Sequence, residues 1–115
     1  MGGISLDRKR EPRKPVTAVA NLVTHSIRSG SALKSDSHHS FPDIVDNYAG
    51  YATGFELVGG DGVKRILLQL AGSLNGVVGI FEWVVDPNPH TGVTHRRFIP
   101  DGKITGRPNQ RGRRG

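Results

Sequence analysis

The pair Asn75-Gly76 constrains this chain more than any other feature, because it stands between two long runs rich in apolar and β-branched residues. Asn-Gly favours the tight turn of an antiparallel hairpin, in which both central positions take positive φ. Residues 63–71 (VKRILLQLA) suffice for a full strand with Ile66, Leu68 and Leu70 on one face, and residues 77–86 (VVGIFEWVVD) predict a second. Residues 55–58 predict a brief strand stopped by Gly59-Gly60-Asp61-Gly62. Beyond the Pro-rich break at 87–92, residues 93–99 (VTHRRFI) predict another, and 103–105 a short closing strand after the turn Pro100-Asp101-Gly102. Leu68, Leu70, Val77, Ile80, Trp83 and Val85 do not obey one alternation. A strand covered on both faces, or a bulge at Gly79, reconciles them.

Ahead of these strands the period changes. Val16, Val19, Ala20, Leu22, Val23 and Ile27 fall on one helical stripe, with Pro15 at its start and Gly30 after its end, so a helix is expected over 16–29. Ile44, Val45 and Tyr48 suggest a second, short helix that opens at Phe41-Pro42 and ends at Gly50, with Asp43 favouring its dipole. The expected fold class is α+β: one or two N-terminal helices packed on a curved, mostly antiparallel sheet of three to five strands. Residues 1–14 read as a disordered basic leader, 15–105 as a single domain and 106–115 as a basic disordered tail.

Composition narrows the function. Only 35% of the 115 residues are hydrophobic, against about 45–50% in an average domain, so the core is small. No apolar run is long enough for a membrane helix, and the absence of cysteine excludes disulfides, thiolate metal sites and a cysteine nucleophile. The net charge of +6 is unevenly placed: the first 14 residues carry +3, residues 15–95 carry −3 and the last 20 carry +6. A near-neutral globule with basic ends suits a polyanionic partner, above all nucleic acid; a solubilising tail is the plainer account.

Within the strand at 93–99, side chains alternate, so His95 and Arg97 share one face while Thr94, Arg96 and Phe98 share the other. An imidazole and a guanidinium side by side can act on one phosphate, the first moving a proton and the second holding developing charge; an edge strand with solvated charges is the alternative. Glu82, between Phe81 and Trp83, lies on the sheet face opposite Trp83, either as a general base or as a solvated strand carboxylate. Lys64 and Arg65 offer further cations. His38-His39 occupies a polar loop and can complete an acid–base pair with His95 or simply cap a helix. A metal nuclease site from His38, His39, Asn47 and His95, or from Asp43 and Asp46, lacks the compact ligand spacing such centres use, so no metal and no cofactor are expected. Gly59-Gly60-Asp61-Gly62 lacks the Lys-Ser/Thr of a phosphate loop and reads as a turn.

Four segments taken in order, His39-Ser40-Phe41-Pro42-Asp43-Ile44-Val45-Asp46-Asn47-Tyr48-Ala49, Gly72-Ser73-Leu74-Asn75-Gly76, Phe81-Glu82-Trp83 and Val93-Thr94-His95-Arg96-Arg97-Phe98-Ile99-Pro100, resemble the C-terminal toxin modules of bacterial polymorphic toxins. Such modules end filamentous-haemagglutinin-like and contact-dependent growth inhibition proteins. The resemblance spans about residues 38–110. It implies the barnase/EndoU/colicin/RelE-type ribonuclease fold, in which RNA lies across an open sheet face, although the Gly-His-His surroundings of the EndoU branch are absent.

The resemblance further implies a metal-independent ribonuclease, often directed at tRNA. It would be delivered within a larger secreted toxin, would act in the target-cell cytoplasm, and would be neutralised by a cognate immunity protein that is acidic where it covers the cationic cleft. A base would take the ribose 2′-hydroxyl proton, the oxygen would attack phosphorus, and an acid would protonate the leaving 5′-oxygen. The residues expected to carry this are His95 as acid or base, Arg97 as phosphate clamp, His39 or Glu82 as complementary proton carrier, and Thr94 or Thr105 as a hydrogen-bond donor. Lys64, Arg65, Arg96, Lys103 and Arg107 are expected to contact RNA, and the free protein to be a monomer. Rival readings are a non-catalytic module binding nucleic acid or protein, and a metal-dependent DNase.

Overall fold

Residues 3–6, 23, 41–88 and 91–110 are described by the structure, a computed structural model. In chain order they form β1 (Ile4–Leu6), a 3₁₀ helix (Asp43–Tyr51), β2 (Thr53–Val58), β3 (Lys64–Leu74), β4 (Val77–Val85) and β5 (Val93–Pro100). All strand pairs are antiparallel, in the order β1-β3-β4-β5, and β2 also pairs with β3. β1 lies opposite residues 72–74 of β3 and β2 opposite residues 64–69, so the two sit end to end along one edge of β3. The chain is thus a small α+β domain whose sheet is four positions wide.

The hairpin forms where the sequence places it. Asn75 at φ +52° and Gly76 at φ +82° make the two-residue turn, and Leu74 pairs with Val77 across it. Alternation then sorts the two faces. Leu68, Leu70, Phe81, Trp83, Val85 and Phe98 pack with Phe41, Val45, Ala49 and Ala52 into the main core. Phe41 meets the rings of Phe81 and Trp83 edge-on at 4.9 and 5.9 Å, the arrangement aromatic quadrupoles prefer.

Residues 43–51 run for nine residues as a 3₁₀ helix, an unusual length for that geometry. With three residues per turn, Asp43, Asp46 and Ala49 stack on one side. Asp46 is turned inward, where its Oδ1 accepts hydrogen bonds from Trp83 Nε1 (2.9 Å) and Arg96 Nε (3.0 Å). Arg96 is 0% exposed. Its other nitrogens donate to the carbonyls of Phe41 (2.6 Å) and Pro42 (3.1 Å), and its guanidinium carbon lies 3.5 Å from the centre of the Phe41 ring. Arg96 was expected to contact RNA; instead it pins the helix and the segment before it to the sheet. Asp43 remains 80% exposed, 3.6 Å from Arg96 Nη2.

Three other expectations change. Residues 4–6, read as part of a disordered leader, form β1. Residues 103–105 form no strand, and residues 106–110, read as disordered tail, run back over the second face of the sheet, held by hydrogen bonds described below. The helix expected at 16–29 falls outside the described residues except for Val23, which is helical and buried in the core.

Replacing Asp46 by Ala strands a buried guanidinium and a buried indole N–H, and is expected to cost about 3–5 kcal/mol of stability. Urea unfolding of Asp46→Ala checks this; a loss below 1 kcal/mol, about that of an exposed ion pair, would show that Arg96 does not depend on it.

Candidate active site

The face opposite the main core carries a row of polar residues across the central strands. Thr53 of β2 stands opposite Gln69, Gln69 opposite Glu82, and Glu82 opposite Arg97. The Gln69–Glu82 pairing follows from the two-residue turn at Asn75-Gly76. His95 sits diagonally from Glu82, a separation two long side chains can close. Its Nε2 lies 2.8 Å from Glu82 Oε1. Glu82 and Gln69 are both 0% exposed, whereas the His95 side chain retains 12% exposure.

Burial of this row comes from the C-terminal segment. Gln69 Oε1 accepts the backbone N–H groups of Thr105 (2.9 Å) and Gly106 (3.1 Å), and Gln69 Nε2 donates to the carbonyl of Arg107 (3.1 Å). The Asn109 N–H donates to Glu82 Oε1 at 2.6 Å, from a backbone at φ +56° that Asn tolerates better than most residues. Gln110 braces the strap internally, accepting the Lys103 N–H and donating to the Lys103 carbonyl and to Thr105 Oγ1. Glu82 therefore does not face a bare sheet, as expected, but lies beneath this strap.

A cleft of about 430 Å³ opens beside the row. Leu57, Val58 and Val84 give it apolar walls, Pro108 and Asn109 of the strap form one rim, and Thr94, His95 and Arg65 bring polar groups to it. His95 is thus backed by a buried carboxylate and presented to a cavity. Glu82 accepts from Gln69 Nε2 and the Asn109 N–H, groups that can only donate. His95 Nε2 is the third group within hydrogen-bond distance of this carboxyl, and it donates to Glu82 when the ring carries its proton on that nitrogen.

The other expected site residues divide. Thr94 lines the cleft, its hydroxyl 3.4 Å from the Val84 carbonyl. Arg97 shares the face of His95 but does not line the cleft: its Nη1 donates to the Asn109 side chain, and its buried Nε has no partner among the described residues. The guanidinium thus meets the side chain of Asn109, a strap residue that lines the rim of the cleft. Thr105 is a strap residue whose hydroxyl accepts the Arg107 N–H. Lys64, 3.8 Å from Glu56, lies exposed at the start of β3, and Lys103 and Arg107 lie exposed on the strap. His38 and His39 fall outside the described residues.

Arg65 reaches the cleft but is already engaged. Its Nε donates to Asp86 (2.8 Å) and its Nη2 to Asp61 (2.9 Å), so two carboxylates offset its charge. Gly59 makes room for this: a Cβ there would lie 2.7 Å from Arg65 Nη1. The Arg65 hydrogen bond, and then the Val63 N–H, hold the Asp61 carboxyl below the usual carboxylate range, and Asp61 followed by Asp86 raises Arg65 in turn.

Sequence reasoning missed Gln69 and Asn109. Gln69 carried a signal, as the sole polar side chain in the run ILLQL that counting back from the turn sets opposite Glu82. Asn109 carried none, since it meets Glu82 through its backbone N–H and Arg97 through its side chain only once the segment folds back over the sheet. Among the described residues no group of three His, Asp or Glu side chains could hold a metal ion, and no helix is long and apolar enough to cross a membrane. The chain matches no protein-family model, no curated protein and no solved structure.

Because the folded carboxyl of Asp61 is held low, its contribution to stability is full above the ordinary Asp value and is lost as pH falls through the lowered one. Asp61→Asn is therefore expected to lower Tm slightly at pH 6, with the gap from wild type closing towards pH 2. Thermal unfolding across that range checks the sign; a gap that widens in acid would reverse it.

Proposed function

We propose that this chain is a metal-independent endoribonuclease, and that His95 is its principal proton carrier. The observation that supports it most is the hydrogen bond between His95 Nε2 and the buried Glu82 at the edge of an open cleft. A carboxylate behind an imidazole fixes its tautomer and stabilises the imidazolium formed when the ring accepts a proton, the arrangement general acid–base catalysis uses. The His95 imidazole takes the 2′-hydroxyl proton, the 2′-oxygen attacks the adjacent phosphorus, and the 5′-oxygen leaves protonated. The products are a 2′,3′-cyclic phosphate and a 5′-hydroxyl.

Burial of Glu82 assigns it to orienting His95 rather than to meeting substrate. The complementary proton falls to His39, the remaining sequence candidate. Thr94 at the cleft wall would exchange its long bond to the Val84 carbonyl for one to a substrate oxygen, while exposed Lys103 and Arg107 would supply charge along the RNA backbone. The likeness to polymorphic toxin modules adds the biological setting: a tRNA-directed toxin, delivered as part of a larger protein into a target-cell cytoplasm and held in check by an acidic immunity protein.

The engagement of Arg65 by Asp61 and Asp86 favours a second reading, a module that grips nucleic acid without cutting it, because no other Lys or Arg side chain lines the cleft among the described residues. Incubation with total tRNA in EDTA separates them. Cleavage to cyclic-phosphate ends is expected, with His95→Ala losing about 10²- to 10⁴-fold in rate while retaining RNA affinity. RNA left intact at all protein concentrations would remove the ribonuclease reading, and cleavage only with added metal would assign a metal-dependent nuclease instead.

A further inference from the structure

Gln69 is a fully buried amide with every hydrogen-bonding capacity used. Its two N–H groups go to Glu82 Oε2 (3.0 Å) and the Arg107 carbonyl (3.1 Å), and its oxygen receives the N–H groups of Thr105 and Gly106. The network fixes its orientation: turning the amide over would set its NH₂ against two N–H donors and its oxygen against a carboxylate and a carbonyl.

We propose that Gln69 is a positioning residue for His95, which it governs through Glu82. Glu82 is long enough to reach either neighbour in its row, and Arg97 stands directly opposite it. A carboxylate drawn towards that guanidinium would release the imidazole. Gln69 holds Oε2 on the β3 side, and the Asn109 N–H together with His95 holds Oε1, so the carboxylate plane is fixed from both ends. The same amide pins residues 105–107, which keeps water away from the pair and strengthens each of these bonds. His95 is thereby kept with Nε2–H towards Glu82 at the wall of the cleft.

The catalytic consequence rests on the ribonuclease reading, whereas the structural one is independent of it. Two variants of the full chain separate positioning from simple attachment of the strap. Gln69→Met removes the amide at nearly constant volume. Gln110→Ala loosens the strap by removing the brace on Lys103 and Thr105, yet leaves the Gln69–Glu82 bond in place. The His95 tautomer is read from its ¹⁵N resonances at a pH where the ring is neutral, and steady-state cleavage of tRNA is measured beside it. Wild type and Gln110→Ala are expected to show the Nε2–H form. Gln69→Met is expected to show a tautomer mixture and to lose about tenfold to a hundredfold in kcat with KM nearly unchanged.

A wild-type tautomer in Gln69→Met overturns the proposal, as does a tautomer mixture in Gln110→Ala, which would assign the positioning to the strap. If Gln69→Met does not fold, Gln69→Asn, whose amide falls one methylene short of Glu82, is read in the same way. Wild-type protein that shows the Nε2–H form but cleaves no RNA would remove the ribonuclease reading and leave the positioning role standing.

Discussion

Two residues in left-handed conformation, Asn75 and Gly76, fix how β3 lies against β4, and both faces of the sheet follow from that register. A turn of two residues permits one pairing, Leu74 with Val77 and onward to Ile66 with Val85. Slipping it by one residue would carry Trp83 to the face of Gln69 and Glu82 to the face of Leu68. Neither exchange is tolerable, because each face is closed by groups matched to one set of side chains. The aromatic face receives Phe41 and the 3₁₀ helix, and the polar face receives the strap.

The strands were legible in the sequence because alternation and β-branched content report on a half-buried ribbon directly. Placing His95 and Arg97 on one face and Arg96 and Phe98 on the other required only the two-residue repeat; Thr94, at the register shift opposite Val84 and Val85, lines the same cleft as His95 instead. What alternation does not carry is the partner waiting on each face. Arg96 reads as a surface cation because arginine is rarely buried, and only Asp46, fifty residues earlier, reverses that. Arg65 reads as a free cation until the turn at 59–62 and the end of β4 bring Asp61 and Asp86 against it. Arg97 reads as a phosphate clamp until the strap sets Asn109 beside it.

The strap itself was invisible for a related reason. Residues 103–110 (KITGRPNQ) have no apolar period, and their Gly, Pro and charged content matches a disordered tail. Their order comes from a side chain on β3. Gln69 offers four hydrogen bonds from within the sheet, and three of them are spent on the backbone of residues 105–107. A segment held through its backbone leaves little trace in its own residue types, so only the odd polar residue in the strand beneath can announce it. β1 is similar in kind: three residues ordered by pairing with Leu74, Ser73 and Gly72, too short to show a pattern.

Two buried polar clusters therefore lie back to back across one sheet, and their difference bears on which is a site. Arg96, Asp46 and Trp83 are buried among Phe41, the 3₁₀ helix and the core, and none of the three lines the cleft. That cluster fixes a helix to a sheet, and a well-packed apolar set of the same volume would serve as well or better. Gln69, Glu82 and His95 are buried in graded fashion, from complete at the first two to partial at the imidazole, which stands at the wall of a cavity. Apolar replacements would stabilise that face equally well, but they would leave the histidine without a fixed proton. The polar row thus ends on an imidazole at a cleft, which is the feature the proposed ribonuclease reading rests on.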